Sequence, residues 1–274
     1  VDASLLGLAA LGFLAGAYGT VIGAGGGFII VPALLLLYPK YGPEEVTAIS
    51  LAVVWANATS GSIAYARQRR IDYVTGLLFA ASSIPGVIAG ALVVHLVPER
   101  VFTALFGLLL LAMAAVTLRR APATVRPPLP GRGLLVRRVV SDGMTYRYGY
   151  KIWQGVLLSL GVGFASSLFG IGGGVIHVPA MILLLHIPLQ FAVATSHFIL
   201  AFMSAGATAV HLLDGSLAGN ELLRAVALGV GAIPGAQIGA QISHRLKGRT
   251  VLLLLVVALA VLAMRLIVKG ALNQ

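Results

Sequence analysis

The feature that most restricts this chain is an interruption that occurs twice. One apolar run stops at Gly23-Ala24-Gly25-Gly26-Gly27 and restarts through Phe28-Ile29-Ile30-Val31-Pro32-Ala33. Another stops at Gly170-Ile171-Gly172-Gly173-Gly174 and restarts through Val175-Ile176-His177-Val178-Pro179-Ala180. A glycine break duplicated inside duplicated apolar segments points to a transporter with its site between two halves.

Composition fixes the class. With 59% hydrophobic and 10% charged residues, and a mean hydropathy of +0.99, the chain reads as an all-α polytopic membrane protein. Its net charge of +11 would suggest nucleic acid in a soluble chain. Here the Lys and Arg residues fall in loops between apolar runs, where they act as topology signals and headgroup contacts. Nucleic acid is therefore not expected as a partner; the lipid bilayer is. The absence of cysteine excludes disulfides and thiolate chemistry. Val1-Asp2-Ala3 brings no basic n-region, so the first apolar run is read as a span and not as a signal peptide.

Apolar segments run over Leu5–Ile22, Phe28–Tyr38, Val46–Ala66, Tyr73–Leu96 and Val101–Leu118, and again over Ile152–Phe169, Val175–Leu185, Leu189–Leu212, Leu222–Ile242 and Val251–Ile267. The repetition extends beyond the breaks. Ala48-Ile49-Ser50 matches Ala194-Thr195-Ser196, and Ile84-Pro85-Gly86 with Gly90 matches Ile233-Pro234-Gly235 with Gly239. Residues 1–118 and 152–274 are thus expected to form two membrane repeats, each a Gly-broken helical hairpin plus three spanning helices. Between them, 119–151 carries eight basic residues against the single acid Asp142. It reads as a cytoplasmic loop, with a β-hairpin around Asp142-Gly143 or, alternatively, a disordered linker.

Charge counting alone leaves the second half's orientation open. Arg67, Arg69 and Arg70 share a side with the central loop, so loops 67–72 and 119–151 are expected inside an inner (cytoplasmic) membrane. Inverted and parallel second halves place Arg245, Lys247 and Arg249 against Arg224, Arg265 and Lys269 with equal score. Length favours inversion. The pieces around each break total roughly 34 residues, about 50 Å as helix, too long for one crossing of a core about 30 Å thick. Turning back or crossing twice gives each half an odd number of crossings and hence inverted repeats.

Irregular backbone at membrane depth is tolerated where protein or a water-lined cavity covers it. Glycine lets a ligand approach the main chain, and amides at a helix start suit an anion. Because the residue before proline avoids the α region, the chain is expected to stay extended after each cluster and to begin its short helix at Pro32 and at Pro179. Gly25, Gly26, Gly27, Gly172, Gly173 and Gly174 are therefore candidate substrate ligands; the plainer alternative is close helix packing, as expected for Gly86/Gly90 and Gly235/Gly239. Neither cluster completes a dinucleotide fingerprint and no P-loop occurs, which excludes ATP-driven transport by this chain alone.

All eight acids lie at termini, loops or segment edges. Cation carriers usually bury carboxylates among their helices, so an anion is the expected substrate. Ser50, Asn57, Ser196, His177, His197 and Gln237 are the polar candidates within the segments, able to donate to an oxyanion without fixed charge. His177 and His197 are also places for a coupling proton, or else neutral imidazoles bonded to helix carbonyls. No metal or cofactor is implied. Without a His-Glu-x-x-His motif or a buried Asp pair, no enzyme is expected.

Together, the Gly-x-Gly-Gly-Gly breaks with their Val-Pro-Ala continuations, the Ala-x-Ser segments, the Ile-Pro-Gly-x-x-x-Gly-Ala segment and the basic Asp-Gly loop resemble the TauE/SafE sulfite exporter family. That resemblance implies a multi-spanning carrier of sulfite, sulfonates and other sulfur-containing or small organic anions; the paired breaks themselves suggest alternating access, with the two meeting near mid-membrane. By motif it carries over Gly25 to Gly27, Pro32, Gly172 to Gly174 and Pro179, with Ser50 and Ser196. An anion channel with the same pocket is the rival reading, and an intramembrane enzyme a more distant one.

Overall fold

The computed structural model describes residues 4–119, 134–141, 144–246 and 248–272. Asp2, Pro127, Pro128, Pro130, Gly131, Asp142, Gly143 and Lys247 lie outside the described residues, as do the side chains of Arg265 and Lys269.

The first half comprises α1 (Leu5–Ile22), α2 (Gly27–Leu37), α3 (Pro43–Arg67), α4 (Tyr73–Val93, extended by a 3-10 turn Val94–Leu96) and α5 (Glu99–Arg119). Strands β1 (Leu134–Ser141) and β2 (Met144–Lys151) follow, then α6 (Ile152–Phe169), α7 (Gly174–Leu183), α8 (Leu189–Leu213), α9 (Gly219–Arg245) and α10 (Gly248–Leu272). Seven of the described helices are long and apolar enough to cross a bilayer. Large apolar side chains such as Leu14, Leu108, Leu157 and Val230 are exposed around the outside, as a lipid-facing surface requires and a soluble monomer avoids. The most buried spans are α3 and α8. They form the middle of the bundle.

Small residues set how the halves interlock. Gly231 packs on Ala9 and Phe13, Gly235 on Phe13 and Ala17, and Gly239 on Ala17 and Thr20. Residue numbers rise together along this seam, so α1 and α9 are parallel. The equivalent seam joins α4 to α6, where Gly86 meets Leu160 and Phe164, and Gly90 meets Phe164 and Leu168. Backbone approach this close excludes any Cβ, which explains the Gly-x-x-x-Gly spacings. Asn57 and Ser60 reach Ala232 and Ile233, so α3 also runs with α9; Gly76 on Phe198 and Gly206 against Val87 make α4 run with α8. Hence α1, α3 and α9 point one way, and α4, α6 and α8 the other.

The prolines behave differently from expectation. Helix α2 starts at Gly27 and α7 at Gly174, with Pro32 and Pro179 inside them. An extended stretch would leave several consecutive amides unpaired in an apolar interior; starting the helix directly after the glycines pairs most of them, and each proline removes only one donor. With 11 and 10 residues, these helices are about 16 and 15 Å long, too short to cross a core about 30 Å thick. Gly26 lies beside Ala15 and Gly16, so the chain doubles back at the break.

The central segment forms an antiparallel hairpin pairing Leu134 with Lys151 through Ser141 with Met144. It docks through a carboxylate that sequence reading placed merely at a segment edge. Asp72 caps α4, is 2% exposed, accepts from Arg137 Nε at 3.0 Å and Nη2 at 2.8 Å, and from the Tyr148 hydroxyl at 2.7 Å. Burial alone would raise the Asp72 carboxyl, but the bonds from Arg137, Thr75 and Tyr148 outweigh it and hold it below the usual carboxylate range. Burial raises Tyr148 well above a normal phenol and pushes Tyr150, which donates to Thr75 Oγ1, up to about 12.

Candidate functional site

The two breaks share one backbone conformation. Gly23, Gly25 and Gly26 have φ of 77°, 77° and 82°, and Gly170, Gly172 and Gly173 have 68°, 76° and 87°. Only glycine enters this left-handed region without strain, so three of the five residues in each cluster are fixed by backbone geometry. Gly23 and Gly170 close the preceding helices, and Gly26 and Gly173 stand at the N-caps of α2 and α7 without any side-chain cap. The first amides of both short helices therefore lack intrahelical partners and supply partial positive charge.

The breaks meet each other. A Cβ on Gly27 would stand 2.5 Å from the Gly170 carbonyl oxygen, and one on Gly174 would collide with the Gly23 carbonyl and stand 2.7 Å from Ala24 Cα. All ten residues from 23 to 27 and from 170 to 174 are buried. Each break is braced by the serine of the opposite half: Ser50 Oγ donates to the Gly170 carbonyl at 2.6 Å and Ser196 Oγ to the Gly23 carbonyl at 3.2 Å. Both hydroxyls are thus committed to main-chain carbonyls. Val54 of α3 and Leu200 of α8 fill the space beside the glycines, each touching the sites of both Gly25 and Gly172. Neither apolar residue stands out in the sequence, because each is one of many in a long run.

Polar chemistry is distributed unequally. Beside the first break, the Thr20 hydroxyl lies 3.2 Å from Asn57 Oδ1 and 3.1 Å from His197 Nε2, and that nitrogen is 3.3 Å from Asn57 Oδ1. Tyr65 adds a 2.7 Å bond to the Thr20 carbonyl, and Gln237 ties α9 to Ser60 at 2.7 and 2.9 Å. Beside the second break, Met203 Cε takes the flank of Gly173. His177 stacks on Phe79 and reaches Ser159 at 3.3 Å, while its Nδ1 is buried with no hydrogen-bond partner. Thr20 and Tyr65 were not singled out from sequence; Thr20, a threonine three residues before a break in an otherwise mostly apolar run, carried the available signal. Among the described residues no group of three His, Cys, Asp or Glu side chains is arranged to hold a metal.

Residues 8–266 match the family model described as Sulfite exporter TauE/SafE. The chain is 34% identical over 270 residues to "Probable membrane transporter protein YunE" of Bacillus subtilis, covering 96% of this chain and 97% of that protein. It is 28% identical over 251 residues to a protein of Xylella fastidiosa with the same general name, covering 90% and 88%, and 25% identical over 267 residues to Bacillus subtilis YjnA, covering 94% and 97%. No solved structure matches the chain significantly. With its duplicated, mutually braced breaks inside a bundle of long apolar helices, seven of which among the described residues are long and apolar enough to cross a bilayer, the chain belongs to the TauE/SafE sulfite exporter family of membrane transporters.

Proposed function

We propose that this protein is a secondary transporter of a small sulfur-containing or organic oxyanion, such as sulfite or a sulfonate, working by alternating access in the inner membrane. Residues 1–118 and 152–274 serve as inverted repeats joined by a cytoplasmic segment, 119–151. The opposed directions of α1 and α6, α3 and α8, and α4 and α9 support the inversion. The observation that carries the reading is the meeting of two glycine breaks, each bonded to a serine of the other half. Rocking one half against the other would part those tips, withdraw Val54 and Leu200, and let the first amides of α2 and α7 face an anion from both sides.

Gly25 to Gly27 and Gly172 to Gly174 are the main-chain ligands in this scheme. Ser50 and Ser196 brace the closed cradle and turn to the anion when it opens, while Asn57, His197 and Gln237 supply donors on one side and His177 on the other. A proton coupled to the anion is carried by His177 or His197. The family and its relatives are transporters, and the distribution of acids favours an anion over a cation.

Counterflow tests this reading. Proteoliposomes loaded with unlabelled sulfite or a small sulfonate should transiently accumulate the labelled anion, with a saturable rate that Leu200→Trp suppresses. Flux without saturation or exchange would instead make the protein an anion channel. No flux of any small oxyanion would end the proposal.

A further inference from the structure

A cavity of about 260 Å³ opens on the hairpin side of the molecule, with no break glycine in its lining. Arg70, Tyr146, Gln190, Val193 and Ser243 are among its described lining residues, and no carboxylate is. It is smaller than the roughly 300–1,000 Å³ typical for drug-sized ligands. Its donors are therefore matched to a small solute.

Arg70 is 7% exposed, unusual for an arginine at a helix end. The backbone explains how it is placed there. The Arg69 amide donates to the Ala66 carbonyl at 3.0 Å and the Arg70 amide to the Tyr65 carbonyl at 3.2 Å, with Arg69 at φ 55°. This is a left-handed helix ending that usually takes glycine, followed by a position that usually carries an apolar side chain packed on the last turn. Here both positions are arginine. A second polar group points to a ligand independently: Gln190 lines the same cavity and its Nε2 is buried without a hydrogen-bond partner. A buried amide donor left without a partner is costly, and an acceptor in the cavity would satisfy it.

The cavity also adjoins the breaks. Val193 lies in its wall, and a Cβ built on Gly23 would stand 3.0 Å from Val193 Cα. One residue of α8 therefore separates the cavity from the first glycine of the first cluster. The hairpin completes the wall with Tyr146, whose ring packs edge-on against Phe191 at 5.1 Å.

We propose that this cavity is an anion-capture subsite on the hairpin side, where Arg70, the Gln190 amide and the Tyr146 hydroxyl hold a small oxyanion before it passes Val193 to the breaks. The proposal deepens the transport reading by adding a second binding position, and it is testable without transport.

Binding of sulfite, sulfate and methanesulfonate to the full-length protein in detergent, by calorimetry and thermal shift, is the measurement. Wild-type protein should bind at least one of them saturably. Arg70→Gln should weaken that binding at least tenfold, with partial recovery in Arg70→Lys, while Arg67→Gln, which removes the same charge from an exposed position, should leave it unchanged. Ser243→Trp, which fills the cavity, and Gln190→Ala should weaken it as well, and they decide the matter if Arg70→Gln does not fold. No binding by wild type, an equal loss in the Arg67 and Arg70 variants, or unchanged binding in all cavity variants would overturn the subsite. Binding that depends on Arg70 without any counterflow would instead overturn the transport reading and leave the subsite standing.

Discussion

The two halves of the molecule repeat a backbone and differ in what surrounds it. At the breaks the match extends to the same three left-handed glycines and the same reciprocal serine bond. Around them it ends: Asn57, Thr20 and His197 form a polar knot beside the first break, where the second has Met203 and a histidine stacked on Phe79. The two faces differ as well. On the hairpin side Arg70 lines an open cavity. On the other, Arg224 covers the rings of Tyr38 at 4.2 Å and Tyr41 at 5.1 Å, Tyr41 donates to Glu221 at 2.7 Å, and Phe102, Phe106 and Phe169 cluster together. Backbone symmetry therefore sets where the halves meet, and side-chain asymmetry sets which face is open. Under the transport reading the cradle at the breaks is closed in this conformation, and the open cavity lies on the hairpin side of it.

The symmetric part is the most sensitive. Gly27→Val and Gly174→Val each force a side chain into the opposite break's main chain, where no flexible group can yield. Both should cost more than about 3 kcal/mol and abolish monodisperse folded protein in size-exclusion chromatography. A tolerated change at only one of the two positions would break the equivalence of the halves.

The asymmetric part should respond unequally. Asn57→Leu removes the acceptor shared by Thr20 and His197 and should cost about 2 kcal/mol. Met203→Leu, at the matching position, keeps volume and should cost below about 1 kcal/mol. Melting temperatures in one detergent compare them; similar losses would show that the polar knot is no more than packing.

The hairpin gives a smaller effect than loss of Asn57, and one that depends on pH. The Asp72 carboxyl is held below its ordinary value, so its contribution is fully present above the unfolded carboxylate value near ~4 and disappears as pH falls through the lower folded value. Asp72→Asn should lower stability by about 1.5 kcal/mol at neutral pH and flatten the acid limb of the melting curve. Proteolysis of the hairpin, tracked against pH, should show release in the wild type only in acid.

Much of this was legible because bilayer physics is strict. Spans announce themselves as long apolar runs, and α1 and α6 carry the bounds read from sequence. Glycine clusters mark breaks because few other residues tolerate their backbone. Helix starts at Pro32 and Pro179 were misplaced because a local rule about residues before proline yielded to pairing amides in an apolar interior. The role of Asp72 was hidden because its partners, Arg137 and Tyr148, lie 65 and 76 positions away.

The sequence by itself determined the membrane setting, the duplication and the two breaks, since hydropathy and glycine conformation are properties of residues and their neighbours. Only the tertiary structure decided that the breaks touch, that Ser50 and Ser196 brace them crosswise, that Val54 and Leu200 fill the space beside them, and that Arg70 lines a cavity. Each of those outcomes depends on contacts between segments far apart in the chain, and such contacts follow from how helices pack and not from what any one helix contains.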